Sequence, residues 1–289
     1  IRGNAYAVSV IEALGNGSGP CIDGNAYAGS LNECRIYGSA YAVDGNYNPI
    51  DCPHNAGLIC NPETDPLTCF KPEIKEFPDI KEEDIYNYLD SLGDDHIFDG
   101  DCTIGQTAGC YEISSDGTPT IGNIIINGDL LTNSNSTFYI SGPVWVTGNI
   151  NFASNQTISL DPGIKEGLSS IIIASGKITS DSNVTFTSED SKFLLLASQK
   201  EENDPTNMCD EEDGNAITVR ANVQGILFYA INGCVLVEPV AGKEYYGAIV
   251  GQAVKLQQNV QMAYDPELEN AEFYLRKEEG WQISSFTEL

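Results

Sequence analysis

The sequence predicts an all-β chain wound as a parallel β-helix (a β-solenoid), with one short helix and a disulfide-rich N-terminal part. Three observations carry this. Blocks beginning at Val144 (VWVTGNINFASNQTISL), Ile171 (IIIASGKITSDSNVTF) and Ala248 (AIVGQAVKLQQNVQMAY), with a looser copy at Ile226 (ILFYAINGCVLV), share an order: apolar run, glycine, apolar pair, then asparagine and a further apolar run. Each run is too short to bury two faces alone, so stacked copies must share a core. The glycines that mark the blocks, Gly148, Gly176, Gly233 and Gly251, are unevenly spaced, which suits a solenoid with insertions rather than a propeller with equal blades. Composition agrees: Gly 28 and Tyr 14 beside Met 2 and Trp 2 favour many short strands and turns.

Taken in order, residues 1–50 hold GNAYA at Gly3 and Gly24 and GSAYA at Gly38. A small turn before Ala-Tyr-Ala puts the tyrosine on one face and the alanines on the other, as three turns of a narrow coil would; unrelated hairpins are the alternative. Residues 51–118 read as a Cys- and Pro-rich insertion carrying a helix near 80–92, where Ile80, Ile85, Tyr88, Leu89 and Leu92 recur at helical spacing, Asp79 can cap the start and Gly93 is a stop. Residues 119–264 read as the main β-helix. Residues 265–289 read as a capping tail in which Trp281, Ile283 and Phe286 could close an open coil end.

Nine cysteines and only two histidines, His54 and His96, with no Cys-x-x-Cys, point away from zinc or haem and toward disulfides in an oxidising compartment. Short separations favour Cys21–Cys34, Cys52–Cys60, Cys102–Cys110 and Cys209–Cys234, leaving Cys69 odd. Seven of the nine precede residue 111, where apolar runs are weakest and bridges can substitute for core. The chain opens on Ile1 with no export signal and no membrane-length apolar run, which leads to the expectation of a processed form whose exporting or anchoring segment lay upstream.

A net charge of −28 argues against nucleic acid, anionic lipid and anionic polysaccharide as partners, and leaves neutral or cationic ones. Catalytic motifs are missing: there is no Gly-x-Ser-x-Gly, Walker loop, His-Glu-x-x-His or dinucleotide fingerprint. The enzymatic alternative is a secreted carbohydrate-active β-helix of glycoside hydrolase type, with Asp94, Asp95, Asp99 and Asp101 in the loop after the helix as general acid and base. No cofactor is expected. Calcium is the ligand that the oxygen-rich stretches would suit, at Asp94–Asp101 and at Asp210, Glu211, Glu212 and Asp213 between Cys209 and Cys234. Neither stretch follows the twelve-residue calcium-loop spacing, and a solvated acidic insertion is the simpler reading. Asn155, Asn183 and Asn259 take equivalent repeat positions, where a turn residue bonded to its counterpart one rung away explains them better than a glycan-binding row. Asn16, Asn135, Asn155 and Asn183 also begin Asn-x-Ser/Thr triplets, glycan acceptors where the organism glycosylates them.

The GNxYA opening, a proline-flanked segment with one helix, rungs reading VTGNI, IIIASGKI, NVTF, FLLLAS, ILFYA, GAIVG and NVQMAYD, and a closing GWQI together resemble a poorly characterised family of bacterial pilin-like or pilus-assembly-associated surface proteins. The resemblance spans nearly the whole chain and carries no site residues. It implies a β-helix ectodomain outside the cell, contact with other pilus or filament subunits or with copies of itself, and membrane attachment only through a hydrophobic segment ahead of this sequence. The expected function is an extracellular structural or adhesive subunit without catalysis, with a surface glycan or cationic ligand as a further partner class.

Overall fold

The computed structural model describes residues 82–107, 109–164, 168–187, 192–201, 209, 215–238, 244–257 and 260–263, and outside them the backbone of short strands at 5–6, 10–13, 21–22, 26–28, 30–32, 35–36, 40–42, 47–48, 59–60, 272–274 and 280–282. The fold is a parallel β-helix, most of it one continuous 23-stranded sheet that bends round three sides of a common core.

The first side stacks Ile97–Asp99, Ile124–Asn127, Val144–Val146, Leu168–Ala174, Leu194–Ser198, part of Ala221–Val237 and part of Glu244–Leu256, each parallel to the next. The inward column runs Ile124, Val144, Ile172, Leu196, Phe228, Ile249. The adjacent outward column runs Ile97, Ile125, Trp145, Ile173, Ala197, Tyr229, Val250. Both columns are apolar, because the outward one belongs to a second buried cluster that also holds Ile85 and Leu89 of the helix Glu82–Asp90. A strand buried on both faces reads as an unbroken apolar run, which is why VWV, III and LLL show no alternation. The helix ends where expected: Gly93, at φ 98°, takes a backbone conformation that other residues adopt rarely. Tyr86 sets its ring edge-on to Trp145, with centroids 5.8 Å apart.

The second side stacks Cys102, Leu130, Ile150, Ile178, Ile217, Val235 and Val254 inward. The third side stacks Pro119–Ile121, Thr137–Ile140, Thr157–Leu160, Val184–Thr187 and the start of Ala221–Val237, and here alternation is clean: Phe138, Ile158, Phe186 and Val223 point in, with polar residues between them pointing out. Aromatic contacts tie the sides together through Phe152, which stacks on Phe138 at 6.3 Å and meets Phe186 edge-on at 5.3 Å.

Turns between the first and second sides explain the repeated glycine. Gly148 N–H donates to the Gly128 carbonyl and Gly176 N–H to the Gly148 carbonyl, both at 2.9 Å. A Cβ on Gly148 would meet the Asp129 carboxylate and sit 2.7 Å from the Gly128 carbonyl oxygen, so turns stacked this closely exclude a side chain. Gly148→Ala is therefore expected to destabilise the coil by about 1–3 kcal/mol through overpacking. Urea unfolding measures it, and an unchanged midpoint would mean that the turns are not stacked. The glycine at 128 belongs to the same column although no repeat block was assigned there.

Three expectations are revised. The coil starts at Ile97, not 119, because Ile97–Asp99 and Cys102–Ile104 already pair with Ile125–Asn127 and Leu130–Thr132. Gly251 faces Ala230 rather than Gly233, since the register shifts between Ala230 and Cys234. The tail strand Glu272–Tyr274 pairs with Leu168–Ser169 and folds back on Gly280–Gln282, so these pieces lie beside the middle of the coil, not at its end.

The last rung is instead continued by the beginning of the chain. Val10–Ala13 lies parallel on Ala253–Leu256, Ser30–Asn32 on Val10–Glu12, and Tyr47–Asn48 on Leu31–Asn32. The Ala-Tyr-Ala repeats stack in register, Tyr6 opposite Tyr27 and Tyr27 opposite Tyr41, as turns of a coil require.

Candidate functional site

Asp99 and Asp101 do not lie in a loop after the helix; they flank the turn of the first rung. Asp99 Oδ1 accepts from Asn127 Nδ2 at 2.8 Å, and Asp101 Oδ1 accepts from the Asp129 backbone N–H at 2.9 Å, both partners being 28 residues on. The pattern continues upward: Asp129 Oδ1 accepts from the Asn149 N–H at 2.7 Å, and Asn149 Oδ1 from the Lys177 N–H at 2.9 Å. Each carboxylate or amide oxygen thus ties its turn to the next rung. Asp94 and Asp95 form a single 3-10 turn and are exposed, like Asp99 and Asp101. Beside them, His96 Nδ1 bonds the Asn123 carbonyl at 2.6 Å. Among the described residues, no three or more His, Cys, Asp or Glu side chains gather where they could hold a metal ion. Asp210, Glu211, Glu212, Asp213, His54, Asn16, Asn259 and Cys69 lie outside the described residues.

The asparagine turns form a ladder. Asn135, Asn155 and Asn183 have φ of 61°, 58° and 62°, the left-handed region that asparagine tolerates, and Asn183 Nδ2 donates to Asn155 Oδ1 at 3.1 Å. All three are exposed at the corner between the second and third sides. Beneath them Gln156 is buried, its Oε1 accepting from Thr132 Oγ1 at 2.7 Å and its Nε2 bonding the Asn133 carbonyl and Ser136 Oγ.

Among the described residues, two disulfides staple the coil. Cys102–Cys110 closes the first rung with a Cα–Cα distance of 5.8 Å, and Cys209–Cys234 ties Cys209 to the second side at 5.5 Å. They mark a protein of a non-cytoplasmic, oxidising compartment. The candidates Cys21, Cys34, Cys52 and Cys60 have no described side chains. No described helix is long and apolar enough to cross a membrane.

Electrostatics are local. Asp116 sits in a tight turn where the Ser114 hydroxyl first, then the Thr118 backbone, hold its carboxyl down to about 2. Burial pushes the Tyr245 phenol above its ordinary value while its hydroxyl donates to the Glu238 carbonyl at 2.5 Å. Glu238 in turn pairs with Arg220.

The feature missed in the sequence is the outer surface of the third side. Thr137, Thr157, Thr185 and Asn222 form one outward column; Tyr139, Ser159 and Thr187 form the next. The signal was present as a T-x-Y, T-x-S, T-x-T alternation at 137–139, 157–159 and 185–187. Ser159 Oγ and Thr187 Oγ1 lie 2.6 Å apart, and the Tyr139 hydroxyl reaches Asp116 Oδ2 at 3.4 Å. No family model, no curated protein and no solved structure matches the chain.

Proposed function

We propose that this protein is an extracellular structural or adhesive β-helix subunit, pilus-associated or itself filament-forming, acting without catalysis. The supporting observation is the use made of its polar side chains: the residues that recur from rung to rung, including the two aspartates best placed for acid and base chemistry, bond neighbouring turns. A hydrolytic site needs two carboxyl groups facing one bond across a short gap. Asp99 and Asp101 each turn one carboxylate oxygen along the coil instead. The architecture also suits a rod. Among the described residues Ile97–Asp99 and Cys102–Ile104 pair on one edge only, and a free parallel edge is a template for another chain, either a copy of this one or another subunit.

Immunogold electron microscopy of the native cells tests this reading. Label along surface filaments or at their tips is the expected result. Label confined to the cell interior, or release of sugars from a glycan panel that Asp99→Asn or Asp101→Asn abolishes, would overturn it in favour of the carbohydrate-active reading.

A further inference from the structure

We propose that the outer surface of the third side binds a neutral polysaccharide chain laid along the coil axis. The inference gives a ligand to the adhesive role above and rests on that reading only in needing the face to be displayed outside the cell.

Charge comes first. The chain has 42 acidic and 14 basic residues, yet over the four rungs 137–140, 157–160, 184–187 and 221–224 every outward position is hydroxyl or amide. A carboxylate meets the strip at one end, where Asp116 Oδ2 lies 3.4 Å from the Tyr139 hydroxyl. A row whose own outward side chains carry no charge, on a strongly acidic protein, repels neither a neutral ligand nor its water, and gives a polyanion no cation to pair with.

The chemistry on the strip is that of sugar recognition. Hydroxyl and amide groups both donate and accept, as sugar hydroxyls do. Two aromatic rings bracket them. Tyr139 lies beside Ser159 and Ser159 beside Thr187; Gln224, the residue after Val223, lies beside Tyr246. Tyr246 is among the large hydrophobic residues exposed at the surface, at 38%, while its neighbour Tyr245 is buried inward at 1%. Four rungs at about 4.8 Å put the two tyrosines about 19 Å apart on one line. That is the reach of a short oligosaccharide, whose apolar ring faces can cover each tyrosine while its hydroxyls meet the row between them. The parallel coil supplies what a single loop cannot, a straight track of equivalent groups at a constant interval.

The test uses the full chain and calorimetric titration with cellohexaose, maltohexaose and chitohexaose, with polygalacturonate as the acidic comparison. At least one neutral hexasaccharide should bind, polygalacturonate should not, and Tyr246→Ala should weaken binding about tenfold or more. Tyr246→Phe, which keeps the ring, should retain most of the affinity, and Asn151→Ala on the second side should change nothing. Thermal unfolding of each variant identifies any that fails to fold, and Thr157→Ala, at the surface of the strip, then serves as the second probe. No binding of any neutral hexasaccharide, a preference for polygalacturonate, or binding indifferent to both Tyr246→Ala and Thr157→Ala would overturn the proposal. Arrest of ice-crystal growth without sugar binding would assign the strip to ice and overturn it too. Because this is read on purified protein, its failure leaves surface labelling on cells unaffected, and failure of that labelling leaves a measured affinity standing.

Discussion

Replacing Ile172 by alanine is expected to lower the unfolding free energy by about 2–5 kcal/mol. Ile172 is fully buried in the inner core, between Val144 on one rung and Leu196 on the next. The rungs above and below are held at a fixed interval by backbone hydrogen bonds, so the space left by the lost methyl and methylene groups cannot close by sliding strands together. A cavity that cannot collapse lies at the costly end of such substitutions. Its neighbours also transmit the loss, since in a stacked coil each rung is stabilised mainly by contact with the next. Urea titration followed by far-UV circular dichroism measures the change; a shift near zero would mean that the run is not inward-facing.

Removal of the Cys209–Cys234 bridge, as the double serine variant, is expected to cost roughly 3 kcal/mol, because the cross-link closes a loop of 25 residues and restricts the unfolded chain. Cys234 also belongs to a small buried cluster with Leu236 and Ala253, against which Cys209 packs, so the serines add a polar group where an apolar one was. The bridge Cys102–Cys110 spans only 8 residues, and its loss should be the smaller of the two on entropic grounds. Parallel denaturation of the two double variants decides the order, and a larger loss at 102/110 would point to a native-state role for that staple in holding the first rung.

Much of the coil was legible in the residues. Gly148, Gly176, Asn155 and Asn183 recur because each rung meets the same local demand, a turn too tight for a side chain or one entering the left-handed region, and local demands leave local marks. The helix was legible for the same reason, through the spacing of Ile85 and Leu89 and the glycine that stops it. The rung at 97–104 escaped notice, and no repeat block was recognised at 124–132, because their turns carry Asp101 and Asp129 where the next two rungs carry Asn149 and Lys177, although the oxygens of Asp101, Asp129 and Asn149 each accept from the backbone N–H one rung on. Asp99 and Asp101 could accordingly stand with Asp94 and Asp95 as candidates for the enzymatic alternative while their partners, 28 residues away, were out of view.

By itself the sequence determined the fold class, the turn chemistry, the bridges at 102/110 and 209/234, and a charge that narrows the range of partners. Register was decided only in three dimensions: in a run such as III or VWV both faces are apolar and both are buried, one in the coil and one beneath the helix, so nothing local says whether Ile171 or Ile172 meets Val144. The same holds for Val10–Ala13, whose place on the rung at Ala253–Leu256 sets the start of the chain on the last rung of the coil. Strand edges carry no label in sequence. Their partner is whichever backbone the rest of the fold brings alongside, and only the assembled coil also lines up Tyr139, Ser159, Thr187 and Tyr246, scattered over more than a hundred positions, as a single track.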